Sequence, residues 1–313
     1  MTDIFDNREA RAMLIAKQMK PFDSDNYIYE LKFDGIRCLA YLDKDVMDLR
    51  NKRNKPLLSL FPELSRLNDF VSQKCILDGE LIVIKNGKPD FYEIQKRTMM
   101  TNHFKIAMSA KKYPAAYVAY DMLYAGNQTL IDEPIEKRKA ILNSVIKENE
   151  YLAISRVVEN QGIGLFNIVK EQNLEGVVAK RKGSKYFFGK RSQDWIKFKY
   201  LKDDDYIICG YILKSHHMTS FILGQYAQDG TLVYQGHCTL GCSINILKQY
   251  KYTIIEHSPF EKIPKGNENA VWLKPEIVCI VEYMPGVNQG LRQPVLKGIR
   301  DDKHPHDCIM AEK

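Results

Sequence analysis

The stretch Glu30-Leu31-Lys32-Phe33-Asp34-Gly35-Ile36-Arg37 constrains the fold more than any other part of the chain. Two apolar runs, YIYELKF and IRCLAYLD, flank its Asp34-Gly35 pair. Residues 27–43 therefore read as two strands around a tight turn. CILDGELIVI (75–84) reads as a strand pair or a bent strand, and AAYVAYDMLY (115–124) as a buried strand. EPIEKRKAILNSVIKE (133–148) has helical spacing, with Ile135, Leu142, Val145 and Ile146 on one side. Residues 161–173 repeat that character. EGVVAKR (175–181) and WIKFK (195–199) return to strand.

The texture changes at Lys202-Asp203-Asp204-Asp205. Short β-rich segments follow: YIICGYIL, SFILGQY, TLVYQGHC and EIVCIVEY, interrupted by a helical stretch, INILKQYKYTII. Strands at this spacing suit a small Greek-key barrel of OB-fold size. The expected architecture is α+β in two domains, 1–201 and 202–313, with a hinge near 200–205. The 313 residues, 45% of them apolar, can build two cores.

No run approaches eighteen apolar residues, so no membrane span is expected. The N-terminus, MTDIFDNREAR, lacks an apolar core and does not read as a secretory signal, which argues for a cytoplasmic protein. The seven scattered cysteines include no CxxC pair and fit reduced thiols. The net charge of +7 is modest, but its distribution is uneven. Nine Lys or Arg and one Asp lie between Lys180 and Lys202, and Arg50, Lys52, Arg53 and Lys55 form a second cluster. Clusters of this kind suit a phosphate-rich partner.

A lysine amine attacks phosphorus only when unprotonated, and its ordinary pKa is about 10.4. Neighbouring cations and partial burial lower it. Lys197 and Lys199 alternate on one strand, so both point to one face. They would hold two ammonium groups over a phosphate and would help to depress the pKa of Lys32. Gly35 would let backbone approach a nucleotide, and Arg37 could bind ribose or phosphate.

The segment around Lys32 resembles motif I of the covalent nucleotidyltransferases, which comprise DNA ligases, RNA ligases and mRNA-capping enzymes. The remaining motifs follow in order and resemble those of ATP-dependent DNA ligases. Leu77-Asp78-Gly79-Glu80 is similar to motif III, and Tyr120-Asp121 followed by Leu123 to motif IIIa. Glu175-Gly176-Val177-Val178-Ala179-Lys180 is similar to motif IV, and Trp195-Ile196-Lys197-Phe198-Lys199 to motif V. Gly298-Ile299-Arg300-Asp301-Asp302-Lys303 is similar to motif VI. The similarity runs from about Met13 to Cys308. It is strongest to small bacterial or phage enzymes and to the ligase module of bacterial end-joining enzymes.

The resemblance implies an ATP-grasp-like adenylation domain with mixed antiparallel sheets, followed by an OB-fold barrel. It implies that Lys32 carries AMP from ATP to the 5′-phosphate of a nick in duplex DNA. Lys197, Lys199, Arg300 and Lys303 would assist, and Glu80 and Glu175 would serve ribose and Mg²⁺. Glu30 stands where the family contacts the adenine amine. Tyr120 stands where most members stack a phenylalanine on adenine, a mild departure. Arg53 and Arg191 are the candidates for DNA phosphate contacts. Only 31 residues precede Lys32, which leaves no room for the DNA-clamping domain of larger ligases. A monomer is expected, helped by a DNA end-binding or other repair protein. His216-His217 receives no role. An RNA ligase or capping-type enzyme remains the alternative, and a non-catalytic nucleic-acid-binding module is a third reading. Intact Lys32, Glu175, Lys197 and Lys199 argue against the last.

Overall fold

The computed structural model describes residues 3–214, 218–263, 265–285 and 291–310, so His216-His217 lies outside the described residues. The chain divides into two compact units, Met1–Tyr200 and Leu201–Lys313. The first unit begins with strands β1 (Leu14–Gln18), β2 (Tyr27–Lys32), β3 (Ile36–Asp43), β4 (Val46–Asn51), β5 (Cys75–Lys85) and β6 (Lys88–Pro89). Helices α1 (Phe91–Thr98) and α2 (His103–Lys112) come next, then β7 (Ala115–Ala125), β8 (Gln128–Thr129) and helix α3 (Ile135–Val145). Strands β9 (Leu152–Ile154) and β10 (Val158–Glu159), helix α4 (Gly162–Gln172), and strands β11 (Gly176–Arg181) and β12 (Arg191–Lys199) complete it.

These strands form two sheets. One has the order β1-β12-β11-β2-β10, and the other runs β4-β3-β5-β7-β8, with β6 and β9 attached. All pairings are antiparallel except β1 with β12 and β7 with β9. Strands β2 and β3 therefore belong to different sheets. They are not the hairpin that the Asp-Gly pair suggested: Phe33-Asp34-Gly35 is a crossover. Gly35 is needed for a steric reason, since a Cβ there would lie 2.0 Å from the Leu81 carbonyl oxygen of β5. CILDGELIVI proves to be one strand with register shifts at Ile76/Leu77 and Asp78/Gly79.

Alternation along the strands sorts the apolar residues into three layers. Cys38, Ala40, Leu42, Leu77 and Leu81 turn to the outside of the second sheet, where Leu142 and Val145 of α3 join them. Tyr29, Val177, Ala179, Ile196 and Phe198 turn to the outside of the first sheet, under Phe166 and Val169 of α4. Leu39, Tyr41 and Ile76 meet Val178, Trp195 and Tyr186 between the two sheets. That inner layer is the wall against which the polar groups below are set.

Helix α1 starts where the Asp90 side chain accepts from the Tyr92 and Glu93 amides, and α4 stops at Asn173 with φ of 53°. Helix α3 is fixed more strongly. Its Arg138 is fully buried and grips Asp121 of β7 through Nε and Nη2 at 2.7 and 2.8 Å. The same guanidinium donates to the Glu133 and Ser184 carbonyls.

The second unit contains β13 (Lys202–Leu213), β14 (Thr219–Tyr226), β15 (Leu232–Cys238), a helix α5 (Ile244–Leu247), β16 (Ile254–Ile255), β17 (Val271–Met284) and β18 (Arg292–Arg300). The expected helical stretch is thus one short turn, and its end is strand. Strands β13, β14 and β15 form a meander, and β17 returns beside β13, which is a Greek key. Strand β18 pairs with β17, and a bridge from Val295 to Leu240 closes the sheet. The unit is a small barrel of the OB type, as the strand spacing predicts. Among the described residues no helix is long and apolar enough to cross a membrane.

Breaking a buried ion pair on one side strands the other charge. Replacing Arg138 by Met should lower unfolding free energy by about 3–5 kcal/mol. Urea unfolding of the full chain checks this, and a loss below about 1 kcal/mol would show that Arg138 does not anchor α3.

Candidate active site

On β2, Tyr29 and Leu31 turn outward to the layer under α4, so Glu30 and Lys32 turn inward. Lys32 lies opposite Gly176 of β11, and Gly176 lies opposite Lys199 of β12. In the next row Glu30 lies opposite Val178, and Val178 opposite Lys197. Directly opposed residues of antiparallel strands point to one face. Lys32, Lys197 and Lys199 therefore share a face, and Gly176 leaves the position between Lys32 and Lys199 without a side chain. A Cβ on Gly176 would stand 2.1 Å from the Phe198 carbonyl oxygen.

Three ammonium groups on one face need anions between them. Glu175 Oε1 lies 2.7 Å from Lys32 Nζ, and the Glu175 side chain is only 6% exposed. Burial pushes the Glu175 carboxyl above its ordinary range, against the pull of Lys32 and Lys199. Burial lowers the pKa of Lys197, and the charge of Lys32 lowers it further.

The second sheet supplies the opposite wall. Arg37 of β3 lies in register with Glu80 of β5. Asp78, two residues before Glu80 and on its face, receives Arg37 Nε at 3.0 Å and Nη2 at 2.6 Å. The Tyr186 hydroxyl donates to Asp78 at 2.7 Å and accepts from the Met13 amide at 2.8 Å. The Arg37 guanidinium stands 5.6 Å from the Tyr120 ring centre and 5.8 Å from that of Trp195. Burial pushes Glu80 up to about 8; Lys32 and Arg37 pull it down, while Glu175 and Asp78 push it further up.

Glu30 is fully buried, with Lys139 Nζ of α3 at 2.7 Å and Lys180 Nζ of β11 at 2.8 Å. Lys180 also donates to the Tyr120 carbonyl at 3.1 Å and stands 4.8 Å from the Tyr120 ring centre. Eight of the residues singled out in the sequence are thus linked through one network: Glu30, Lys32, Arg37, Glu80, Tyr120, Glu175, Lys197 and Lys199.

The others have different partners. Arg300 and Lys303 belong to the second unit, where Asp205 Oδ2 accepts from Arg300 Nη1 at 2.9 Å and from Lys303 Nζ at 2.7 Å. Asp302 takes the rest of the Arg300 guanidinium. Arg53 is exposed in the turn 51–55, where its amide donates to Asn51 Oδ1. Arg191 is exposed at the start of β12 and donates to the Ile15 carbonyl at 3.2 Å. The cation clusters are less available than their sequence suggests. Arg50 is bound to Asp48, Lys180 to Glu30, Arg181 to Asp194, Lys182 to Glu159 and Lys185 to Asp132.

Sequence reading assigned no role to Asp78, Lys139, Lys180 or Tyr186. Asp78 carried a usable signal, since strand alternation places it beside Glu80. Lys139 carried none.

Glu80 and Glu175 fit a hard divalent cation in one respect: each is raised by burial, and Glu80 also feels the charge of Glu175. Among the described residues no group of three His, Cys, Asp or Glu stands together. Phosphate oxygens and water would have to complete such a site.

The family model described as "ATP dependent DNA ligase domain" matches residues 10–199, and "ATP dependent DNA ligase C terminal region" matches residues 214–303. DNA ligase C1 of Mycolicibacterium smegmatis is 30% identical over 328 residues, covering 96% of this chain and 92% of that protein. The SPbeta prophage-derived DNA ligase-like protein LigB of Bacillus subtilis is 33% identical over 203 residues, covering 64% of this chain and 72% of its own length. In structure, the ligase domain of M. tuberculosis LigD superposes with a TM-score of 0.54 at 23% identity, over 97% of this chain and 99% of that one. These matches select DNA ligase over the RNA-ligase and capping readings.

A carboxyl raised in the folded state stabilises most at low pH, and that contribution is lost as pH rises from the ordinary value of about 4.3 towards about 8. Glu80→Gln removes this loss. The variant should gain melting temperature relative to the parent between about pH 5 and about pH 9. Thermal melts of both proteins check this, and parallel curves would contradict a raised Glu80.

Proposed function

Because this chain belongs to the ATP-dependent DNA ligase family, and so is an enzyme that joins DNA at the expense of ATP, we propose that Lys32 is the residue that carries AMP to the nick. The row Lys32–Gly176–Lys199, with Lys197 one pair along, carries this reading. In this reading a nucleophilic amine and two further cations share one face of the sheet, and an α-phosphate set against that face would be neutralised from both sides.

In the first step the Lys32 amine attacks the α-phosphorus, a phosphorus–nitrogen bond forms and pyrophosphate leaves. Glu175, in contact with Lys32 Nζ at 2.7 Å, is the acceptor for the proton that the ammonium must shed. Lys197 and Lys199 hold the α-phosphate oxygens. Glu30 accepts from the adenine amine, Tyr120 stacks on the base, and Arg37 holds the ribose or a phosphate. AMP then passes to the 5′-phosphate of a nick, and the 3′-hydroxyl displaces it. Glu80 and Glu175 would hold Mg²⁺, which would neutralise phosphate charge during these transfers.

Arg53 and Arg191 contact DNA phosphates in this reading, and the contacts are independent of sequence. Since four of the nine cations of the 180–202 run, Lys180, Arg181, Lys182 and Lys185, already have acidic partners within the protein, the grip on duplex DNA is modest. A DNA-bound partner protein that raises local concentration would compensate. The protein acts as a monomer in the cytoplasm.

Arg300 and Lys303 neutralise the departing pyrophosphate, and they do so when the second unit closes over the first. Their ion pairs with Asp205 then give way to phosphate.

Incubation with ATP and Mg²⁺ should add one AMP to the intact chain in acid-labile form, read by mass spectrometry, and Lys32→Ala should abolish the addition. Adduct persisting in that variant would remove Lys32 from the role. Arg300→Ala should lose self-adenylylation by ~100-fold while sealing a pre-adenylylated nick nearly as the parent does. Equal loss in the two assays would contradict the closing unit.

A further inference from the structure

The buried carboxylate of Glu30 is held asymmetrically. Lys139 and Lys180 both close on Oε1, at 2.7 and 2.8 Å. Both carboxylate oxygens are buried without a hydrogen bond within the protein, and it is Oε1 that makes the closest contact with each lysine, which leaves Oε2 the freer acceptor. One lysine would suffice to neutralise one carboxylate, and a second leaves excess positive charge out of water, which is costly. The second cation therefore needs another purpose than charge balance.

The two ammonium groups come from different elements. Lys180 stands on β11, diagonal to Glu30 in the same sheet. Lys139 enters from α3, next to Arg138, whose bidentate grip on Asp121 fixes that turn of the helix. Together they hold Oε1 from two directions and set the rotation of the carboxylate. Oε2 remains available as an acceptor, and although burial pushes the carboxyl up, the two cations outweigh it and keep the carboxyl ionised, below its usual range.

We infer that Lys139 is a positioning residue for nucleotide selection: it orients Glu30 so that Oε2 can accept only from a base bearing an amine donor at that edge. An adenine amine satisfies Oε2, whereas the 6-oxo group of guanine would set an acceptor against it and leave both unpaired. This inference rests on the reading that Glu30 meets the base. It adds that helix α3, an element outside the sheet that bears Glu30, determines which base is accepted.

The test is self-adenylylation of the full chain with ATP and with GTP, measured as KM and kcat for the parent, Lys139→Met, Lys139→Arg and Glu30→Gln, with thermal melts of each. Lys139→Met should raise KM for ATP by about tenfold, leave kcat within about twofold and shrink the ATP-over-GTP preference. Lys139→Arg should restore most of that preference. A folded Lys139→Met protein with unchanged preference overturns the inference. Should it fail to fold, Lys139→Gln carries the test under the same criteria. If Glu30→Gln also leaves the preference unchanged, the reading of Glu30 itself fails. If Glu30→Gln changes it and the Lys139 variants do not, only the positioning role fails.

Discussion

Charge cannot stand alone in the gap between two sheets, and this condition organises the first unit. Three of the charged side chains that face the inner apolar layer are met by an opposite charge from elsewhere in the chain: Lys32 by Glu175, Arg37 by Asp78, Glu30 by Lys139 and Lys180. Desolvation would otherwise neutralise or expel such groups. The pairs therefore tie strand to strand and helix to sheet, and the polar network serves as a second core beside the apolar one. Among the described residues the pairing is incomplete at Glu30, whose carboxylate oxygens are buried without a hydrogen bond, and in the proposed reading the base meets it there.

Most strands of both units were legible because alternation and β-branched composition are local signals. The shared face of Lys197 and Lys199 followed from the same rule. Pairing between distant strands is not a local property. Nothing in YIYELKFDGIRCLAYLD reveals that its halves join different sheets; that depends on β5 and β11, which lie far along the chain. The Asp-Gly pair reads as a hairpin because the same residues that serve a tight turn also permit a close crossing, here against the Leu81 carbonyl.

Helix α3 shows a second limit. Its apolar spacing marked Ile135, Leu142 and Val145 as the core side, and all three are buried. Arg138 and Lys139 are buried as well, yet a lysine in a helix reads as solvated by default. Only the carboxylates of other elements, Asp121 and Glu30, show why these cations point inward. The cation clusters show a third limit. A run rich in Lys and Arg reads as an exposed patch, and the acidic partners of Arg181, Lys182 and Lys185 lie between 13 and 53 residues away. Composition sees the run and cannot see its partners.

The crossover at Phe33-Asp34-Gly35 also works as a leash. Lys32 ends one wall and Ile36 opens the other. At no more than ~3.6 Å per residue, four steps of extended chain reach ~14 Å. The two walls can breathe, but not without keeping the lysine of one within that distance of the strand that bears Arg37 on the other. The spacing between Lys32 and Arg37 is thus a ruler written in covalent bonds. It fixes how wide the mouth of the gap can open, and so how large an object can pass between them.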